Sequence, residues 1–255
     1  MLALGLASCT SSSEPVEGGW NAYDRGDFAR ALAETEPLAD SGDPEAQFRL
    51  GLMHADGKGV APDPSTAVAW YRRAAEAGHA PAQVNLGLLY IGGEGVPQDY
   101  AQAAAWMRRA AEQGIAQAQY TLGCMLRLGQ GVPQDDAESA RWLRAAAEQG
   151  LALAQADLGL LLLRGQGLPP DPAEAARWTR LAAEQGFTAA QKRYGKMLEH
   201  GRGVAARAVA AYLWYSLAGA ADERLRLAAT MTPEELREAE DLLRSLSTAG
   251  DSAPL

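Results

Sequence analysis

The sequence predicts an all-α fold, an α-solenoid superhelix in which 36-residue helix-turn-helix repeats stack side by side. Five of the six tryptophans recur at a fixed step of 36 residues, at Trp70, Trp106, Trp142, Trp178 and Trp214. A glycine keeps the same step, at Gly51, Gly87, Gly123, Gly159 and Gly195. The Ala-Gln pair that begins at Ala46 recurs in the same register, without insertion or deletion. Chance does not produce five copies in register, so the repeat determines the architecture.

The amino-acid composition excludes several classes of protein. The 255 residues are 47% hydrophobic, which is enough to form a core and excludes wholesale disorder. The net charge of −9 argues against a nucleic-acid binder and against a polybasic membrane-surface protein. Two cysteines cannot build a disulfide scaffold or a zinc site made only of cysteines. The sequence has no uninterrupted run of about 18 apolar residues, so no bilayer-spanning helix is predicted.

The predicted organisation follows the repeat register. An N-terminal segment over residues 1–15 precedes a partial repeat over residues 16–42, which contains a short helix around Trp20. Five full repeats follow, at residues 43–78, 79–114, 115–150, 151–186 and 187–222. Capping helices are predicted over residues 223–247 and a disordered tail over residues 248–255. Terminal segments are expected to differ from internal repeats because they cover the ends of the stack.

The first helix of each copy, called the A-helix, is predicted from near Glu45 to near Asp56 in the first repeat. Its apolar and small residues recur at the three- and four-residue spacing of a buried helix face, at Ala46, Leu50, Gly51 and Met53. A Gly-x-Gly-Val segment over residues 57–60 then ends the helix, because glycine readily adopts the left-handed conformation that closes a helix.

The second helix, called the B-helix, is predicted to begin at an aspartate cap in four copies, at Asp63, Asp99, Asp135 and Asp171. It ends at a glycine, at Gly78, Gly114, Gly150 and Gly186. Beyond the repeats, a closing helix is predicted to start at Thr232 and Pro233. Its apolar face would contain Leu236, Ala239, Leu242, Leu243 and Leu246.

Small residues on both helices predict close packing. Gly51 and Ala74 would let the two helix backbones approach each other. Trp70 would then fill the space between the helix layers, burying on the order of 150–250 Å². The glycines and tryptophans of the other copies have the same structural role in this interpretation.

The segment AQVNLGLLYIGGEGVPQDYAQAAAWMRRAAEQG, from Ala82 to Gly114, resembles the Sel-one-like repeat, a relative of the tetratricopeptide repeat. The likeness covers about residues 43–222 and departs in the fifth copy, where Ala205, Arg207 and Asp222 replace the loop proline, the aspartate cap and the terminal glycine. The resemblance implies a right-handed superhelix with the A-helices on its concave side. It also implies a scaffold for protein–protein contacts, usually without catalysis.

The N-terminus resembles a lipoprotein signal. Leu6-Ala7-Ser8-Cys9 has the form of a lipobox, in which Cys9 is the site of lipid attachment, and the Ser-rich stretch at 10–15 would be a tether. We favour a lipoprotein on the periplasmic side of the bacterial envelope, with Thr10 directing it to the outer membrane. A complete signal needs a basic region and a longer apolar core, so this interpretation requires a start upstream of Met1. The alternative is an ordinary tail on a cytoplasmic protein.

The sequence carries no catalytic motif: no G-x-S-x-G, no phosphate-binding loop, no H-E-x-x-H and no S-x-x-K. Three histidines lie in different repeat positions away from metal-ligand spacing, and they are predicted to be surface residues: His54, His79 and His200. Cys124 takes the place of a leucine in other copies and is predicted to pack as a small apolar residue. We therefore predict no enzyme activity, no metal and no cofactor.

Function is then expected at the A-helix positions that the repeat leaves free. One variable column contains Arg49, Asn85, Thr121, Asp157 and Arg193. A second contains Asp56, Gly92, Leu128, Arg164 and His200. Changing polarity at fixed geometry is what a partner-specific surface needs, although unconstrained positions also drift. Both columns are expected to face the groove, and all of these residues except Gly92 and Leu128 form the predicted protein-binding site.

The sequence thus favours a non-enzymatic scaffold or adaptor in the bacterial envelope that holds a protein or peptide in a concave groove. It predicts no nucleic acid partner and a membrane contact only through lipid on Cys9. The alternatives are an envelope enzyme or binder acting on peptidoglycan or β-lactams, and a periplasmic regulator of a membrane sensor. Cysteine-rich relatives linked to penicillin binding have a cysteine pair in each repeat, and this chain has none.

Overall fold

The computed structural model describes the backbone of residues 17–249 and the side chains of residues 21–245. That part of the chain is all-α, with fourteen helices and no strand. The helices are Glu17–Asp24 (α1), Phe28–Asp40 (α2), Pro44–Asp56 (α3), Pro64–Glu76 (α4), Ala80–Gly92 (α5), Tyr100–Glu112 (α6), Ala116–Leu128 (α7), Asp136–Glu148 (α8), Ala152–Arg164 (α9), Pro172–Glu184 (α10), Thr188–His200 (α11), Ala208–Leu217 (α12), Ala221–Ala228 (α13) and Pro233–Ala249 (α14). None of these helices combines the length and the apolarity needed to cross a membrane. The all-α helix-hairpin fold predicted from the repeats is confirmed.

The A-helices are α3, α5, α7, α9 and α11, and the B-helices are α4, α6, α8, α10 and α12. The chain divides into two compact units. The first comprises the described residues up to Ala82 together with residues 94–96. In it α1 packs on α2, α2 on α3 and α3 on α4. Its core includes Ala31, Leu50 and Met53, while Asp27 caps α2 by accepting a hydrogen bond from the Arg30 N–H.

The second unit comprises residues 83–93 and the described residues from Pro97 onward. From α6 to α12 each helix packs on the next, and α12 also packs on α13 and α14. The Arg108 guanidinium bonds the Glu138 carboxylate and Arg144 bonds Glu174, which links α6 to α8 and α8 to α10. Other side chains link α7 to α9 and α9 to α11. Within this unit, therefore, the A-helices are neighbours of one another and so are the B-helices.

The loop between the A- and B-helices has the same construction in the first four repeats. The Asp135 N–H donates to the Leu126 carbonyl across the loop at 3.0 Å, and the Asp135 carboxylate accepts from the Glu138 N–H at 2.8 Å. The second loop glycine, Gly131, has a φ of +70°. A Cβ at this position would overlap the Tyr100 carbonyl of the preceding B-helix. The predicted aspartate caps are confirmed, and the loop glycine also joins consecutive repeats.

The B-helix residue after the tryptophan is buried in every repeat, whereas Trp70, expected to fill the space between the layers, is half-buried and packs against the core of α1, α2 and α3. A Cβ added at Gly123 would lie 2.9 Å from Leu143, so the A-helix glycine makes room for that residue. The residues after the tryptophans are all buried, namely Tyr71, Met107, Leu143, Thr179 and Tyr215. Trp106 and Trp214 are buried, whereas the other three tryptophans of the series are half-buried, namely Trp70, Trp142 and Trp178. Two of these half-buried indoles donate their N–H to a carboxylate four residues earlier, Trp142 to Glu138 and Trp178 to Glu174, each at 3.1 Å.

The buried glutamine of four of the five Ala-Gln pairs connects its A-helix to the end of the preceding helix. The Gln155 amide donates to the Ala147 carbonyl at 3.2 Å, near the end of the preceding B-helix. Its side-chain oxygen accepts a hydrogen bond from the Gln185 amide at 2.8 Å. Equivalent bonds to a carbonyl eight residues earlier are made by Gln47, Gln119 and Gln191. This role explains why a polar side chain occupies a buried position in these copies.

The C-terminal helices agree only in part with the expectation. Arg207 stands at the cap position of α12 and makes no side-chain cap hydrogen bond there. Thr232 and Glu235 form a complete capping box at α14, since each backbone N–H donates to the other side chain, at 2.9 and 3.2 Å. Leu242, predicted on the apolar face of α14, is 39% exposed, which corrects that prediction. Leu246 and Cys9 lie outside the residues whose side chains are described.

Candidate interaction surface

The two variable columns lie at different depths on the A-helices. The first column is half-buried throughout, at Arg49, Asn85, Thr121, Asp157 and Arg193. The second is exposed throughout, at Asp56, Gly92, Leu128, Arg164 and His200. The packing glycines of the same helices are all buried, at Gly51, Gly87, Gly123, Gly159 and Gly195. The repeat thus fixes the buried side of each A-helix and varies the side that contacts solvent.

In the first unit, Arg49 is already neutralised. Its Nε donates to the Glu45 carboxylate at 2.8 Å, while the other oxygen of Glu45 lies 2.9 Å from His79 Nε2. The hydrogen bond from His79, followed by the influence of Arg49, lowers the pKa of Glu45 to about 2. The Ala82 N–H donates to His79 Nδ1 at 3.2 Å, so the proton of the neutral ring is on Nε2. His79 is therefore a half-buried bridging residue, which corrects its prediction as a surface histidine.

The other two histidines differ from each other. His54 is half-buried, and its Nδ1 has no hydrogen-bond partner within the described residues. His200 is exposed, as predicted. No cluster of three metal-ligating side chains occurs in the described part of the chain. The Cys124 thiol is half-buried on α7, and burial raises its pKa, which disfavours a reactive thiolate.

In the second unit, Asp157 lies at the centre of a polar cluster on α7, α9 and α11. The Tyr120 hydroxyl donates to Asp157 Oδ2 at 3.4 Å, and Arg127 Nη2 lies 3.9 Å from the same oxygen. Arg193 Nη1 donates to the carbonyl of Ala156, the residue before Asp157, at 2.7 Å. Burial lowers the pKa of Arg193, Asp157 raises it and Arg164 lowers it further. The guanidinium groups of Arg127 and Arg193 thus lie near the Asp157 carboxylate. Arg164 is near enough to Arg193 to affect its pKa.

We define the basic A-helix patch as Arg127, Arg164, Arg193 and Lys196. Arg164 and Lys196 are exposed and make no ion pair within the described residues. The second carboxylate on these three helices, Glu199, is occupied elsewhere, since it accepts from the Tyr215 hydroxyl at 2.6 Å and from Arg226 at 3.1 Å. The patch therefore has an excess of positive charge in a chain whose net charge is −9. Leu128, beside Arg127, is 59% exposed and adds an apolar element.

The repeat pattern located the A-helix columns, but it did not reveal the polar cluster. Tyr120 and Arg127 lie outside both columns, and their common partner Asp157 is on the next A-helix. Tyr120 and Arg127 each precede Asp157 by about one repeat length. This spacing is the only sign of their contact in the sequence, and it is informative only once the stacking of the repeats is known. Asn85 and Thr121 belong to the first column but carry no charge.

The profile of the Sel1 repeat matches residues 44–79, 80–115, 116–151, 152–187 and 188–223. This chain belongs to the Sel1 repeat family. The Sel1 repeats are those predicted above as Sel-one-like repeats, and proteins of this kind are typically non-enzymatic scaffolds that bind protein partners. The repeats of the family profile begin one residue after the boundaries derived from the tryptophan and glycine register.

Two solved structures show the same fold. A Sel1 repeat protein from Oxalobacter formigenes is 33% identical, with a TM-score of 0.75, over 79% of this chain and 83% of that chain. The protein c5321, described as a protective antigen present in uropathogenic Escherichia coli strains and displaying an SLR fold, is 41% identical, with a TM-score of 0.71. That match covers 74% of this chain and 41% of the Escherichia coli protein. A comparison with curated proteins gives no match.

Proposed function

We propose that this Sel1 repeat protein is a non-enzymatic scaffold that binds a protein partner through the exposed side of its A-helices. The proposal rests on the difference between the buried side and the exposed side of each A-helix. The Ala-Gln pair and the glycine are buried and constant, whereas the exposed column of the second unit changes from Leu128 to Arg164 to His200. A surface of constant geometry and changing chemistry suits recognition of one partner over others.

The mechanism proposed is contact at several positions on a preformed surface. The A-helices are fixed by buried glutamines, by capped loops and by the glycine contacts between helices. A surface held in this way loses little conformational freedom when a partner binds, so more of the contact energy appears as affinity. No covalent or proton-transfer step is needed, and the raised pKa of Cys124 does not support a thiolate nucleophile.

The proposed location is the periplasmic side of the bacterial envelope. The support is the Leu6-Ala7-Ser8-Cys9 motif followed by a Ser-rich stretch. Fatty-acid labelling of protein expressed from the native gene with its upstream region tests this proposal, with C9S as the control. Labelled wild type and unlabelled C9S are expected. An unlabelled wild type that remains soluble would contradict the lipid anchor.

Site-specific photo-crosslinking in cells tests the binding surface. A photoreactive amino acid replaces Leu128, which is 59% exposed on an A-helix, or Leu181, which is 42% exposed on a B-helix and is the matched control. Both positions are exposed leucines in the second unit. A discrete crosslinked protein is expected from Leu128 and not from Leu181. Capture of the same protein only from Leu181 would overturn the proposed surface.

A further inference from the structure

The charges of the A-helices and the B-helices in the second unit are arranged differently. Three of the six B-helix arginines, Arg108, Arg144 and Arg180, are paired with Glu138, Glu174 and Glu184. Two others, Arg141 and Arg177, are near enough to Glu138 and Glu174 to lower the pKa of those carboxyl groups. The basic A-helix patch has four cations and one nearby carboxylate, Asp157. Surface charges are normally paired or dispersed in a protein of opposite net charge, so this local excess points to a ligand of negative charge.

The groups in the patch are also incompletely satisfied. Arg127 Nε is buried and has no hydrogen-bond partner within the described residues, while Arg127 Nη2 lies 3.9 Å from Asp157, beyond hydrogen-bond distance. Arg193 is half-buried and bonds a neutral carbonyl. Lys192, by contrast, is paired with Glu223 at 2.5 Å. Guanidinium groups pair best with planar carboxylates, which accept two parallel hydrogen bonds.

We propose that the basic A-helix patch binds an acidic peptide segment of the protein partner. Carboxylates of that segment pair with Arg164, Arg193 and Lys196, and an apolar residue of the segment covers Leu128. This inference rests on the proposed function and specifies the chemistry of the partner. A nucleic acid or an anionic lipid surface is disfavoured, because an extended polyanion would meet the net charge of −9 outside the patch.

The inference is tested by fluorescence anisotropy. The assay uses the full chain and a short rhodamine-labelled peptide that contains Asp, Glu and two Leu residues. The control peptide replaces Asp and Glu by Asn and Gln. Binding of the acidic peptide that weakens as salt rises is expected, because salt screens exposed charges. Equal binding of the neutral peptide, or no binding of the acidic peptide at low salt, would overturn the inference.

Charge-reversal variants localise the binding. R164E/K196E changes two exposed residues of the patch, and R141E/R177E makes the same change in net charge at exposed B-helix positions. The first variant is expected to weaken binding at least about tenfold, and the control to weaken it less than about twofold. Equal losses in both variants would overturn the inference. Circular dichroism establishes that both variants are folded.

A gain of affinity provides the second test. D157N removes the one carboxylate among the guanidinium groups while keeping its shape, so the acidic peptide is expected to bind about threefold more tightly. Weaker binding by D157N would contradict the inference. Polyphosphate and phosphatidylglycerol vesicles are tested as alternative ligands. If either binds with the affinity of the acidic peptide, and R164E/K196E abolishes that binding, the patch is assigned to that ligand instead.

The inference and the proposed function fail in different ways. A protein captured at Leu128, together with no binding of the acidic peptide, would overturn the acidic chemistry alone. Capture only from Leu181 would overturn the binding surface and the inference together. Mass spectrometry of the segment crosslinked to Leu128 adds a direct result. An excess of Asp and Glu in that segment supports the inference, and an excess of Lys and Arg contradicts it.

Discussion

At the scale of the residue, the loop glycines combine two constraints that an ordinary turn glycine does not. Gly131 has a left-handed backbone with a φ of +70°, and its missing Cβ makes room for the Tyr100 carbonyl of the preceding B-helix. Gly150 has a similar conformation, with a φ of +89°, but nothing lies within 4 Å of the position of its Cβ. The two residues therefore separate the effect of conformation from the effect of packing.

G131A is expected to lower the free energy of unfolding by about 3 kcal/mol or more, because strain and overlap add. G150A is expected to lower the free energy of unfolding by only about 1–2 kcal/mol, because it places an alanine in the left-handed conformation without steric overlap. Urea unfolding followed by circular dichroism measures both variants. Equal losses of stability would show that the contact between the loop and the preceding B-helix contributes nothing.

The Glu45 carboxylate gives the first unit a predicted pH dependence. Because the pKa of Glu45 falls from 4.5 to about 2 on folding, its contribution is present above pH 4.5 and is lost as the pH falls toward 2. The side chain is 46% exposed, so solvent screening limits this contribution to about 1 kcal/mol. E45Q is expected to be less stable than wild type by this amount at pH 7.

Urea unfolding at pH 7, 5, 4 and 3 measures the difference between wild type and E45Q. The difference is expected to shrink progressively below pH 4.5. E76Q changes an exposed carboxylate on a neighbouring helix and is the control, with little difference from wild type at any of these pH values. A difference between wild type and E45Q that grows as the pH falls would contradict the assignment.

At the scale of the element, hydrogen bonds between side chains join helices that are distant in sequence. Gln149 donates to the Gln119 side-chain oxygen at 2.8 Å and to the Gly114 carbonyl at 2.9 Å. Gln185 makes the same two bonds to Gln155 and Gly150. The equivalent position in the first repeat is Ala77, which has no polar side chain, although Gln47 is present. The first repeat thus lacks part of this connection.

A77Q is expected to form the missing hydrogen bond to the Gln47 side chain and to raise the free energy of unfolding by about 0.5–1 kcal/mol. The backbone of Ala77, with φ −75° and ψ 2°, is close to that of Gln149, with φ −81° and ψ 3°, so the new side chain starts from the right geometry. A77M controls for helix propensity and side-chain size. Urea unfolding provides the measurement, and equal stability of A77Q and A77M would show that no bond forms.

The sequence predicts elements well where the signal is local. The aspartate caps and the glycines that close the helices act within a few residues, so their spacing shows where each helix begins and ends. The bond between Gln185 and Gln155 joins residues 30 positions apart, and no local pattern marks it. The position after the tryptophan was missed for a related reason. A hydrophobic pattern identifies a helix face but not which residue on it lies opposite a glycine.

At the scale of the whole molecule, the repeat predicts the fold more completely than the function. The 36-residue register of the tryptophans and glycines is sufficient to predict the all-α repeat fold and the family. The binding site is harder to predict from the sequence, because its residues vary at positions that the repeat does not constrain. Arg49 and Arg164 belong to adjacent columns, yet Arg49 is held by Glu45 while Arg164 has no ion pair within the described residues.

Hydroxyl-radical footprinting of the full chain, alone and with the protein captured at Leu128, tests the central claim most directly. Oxidation of exposed side chains reports which surface the partner covers. Leu128 and His200, on A-helices of the second unit, are expected to be protected, while Leu181 and Leu217, on B-helices, keep their reactivity. Protection of Leu181 and Leu217 with unchanged oxidation of Leu128 and His200 would contradict the account.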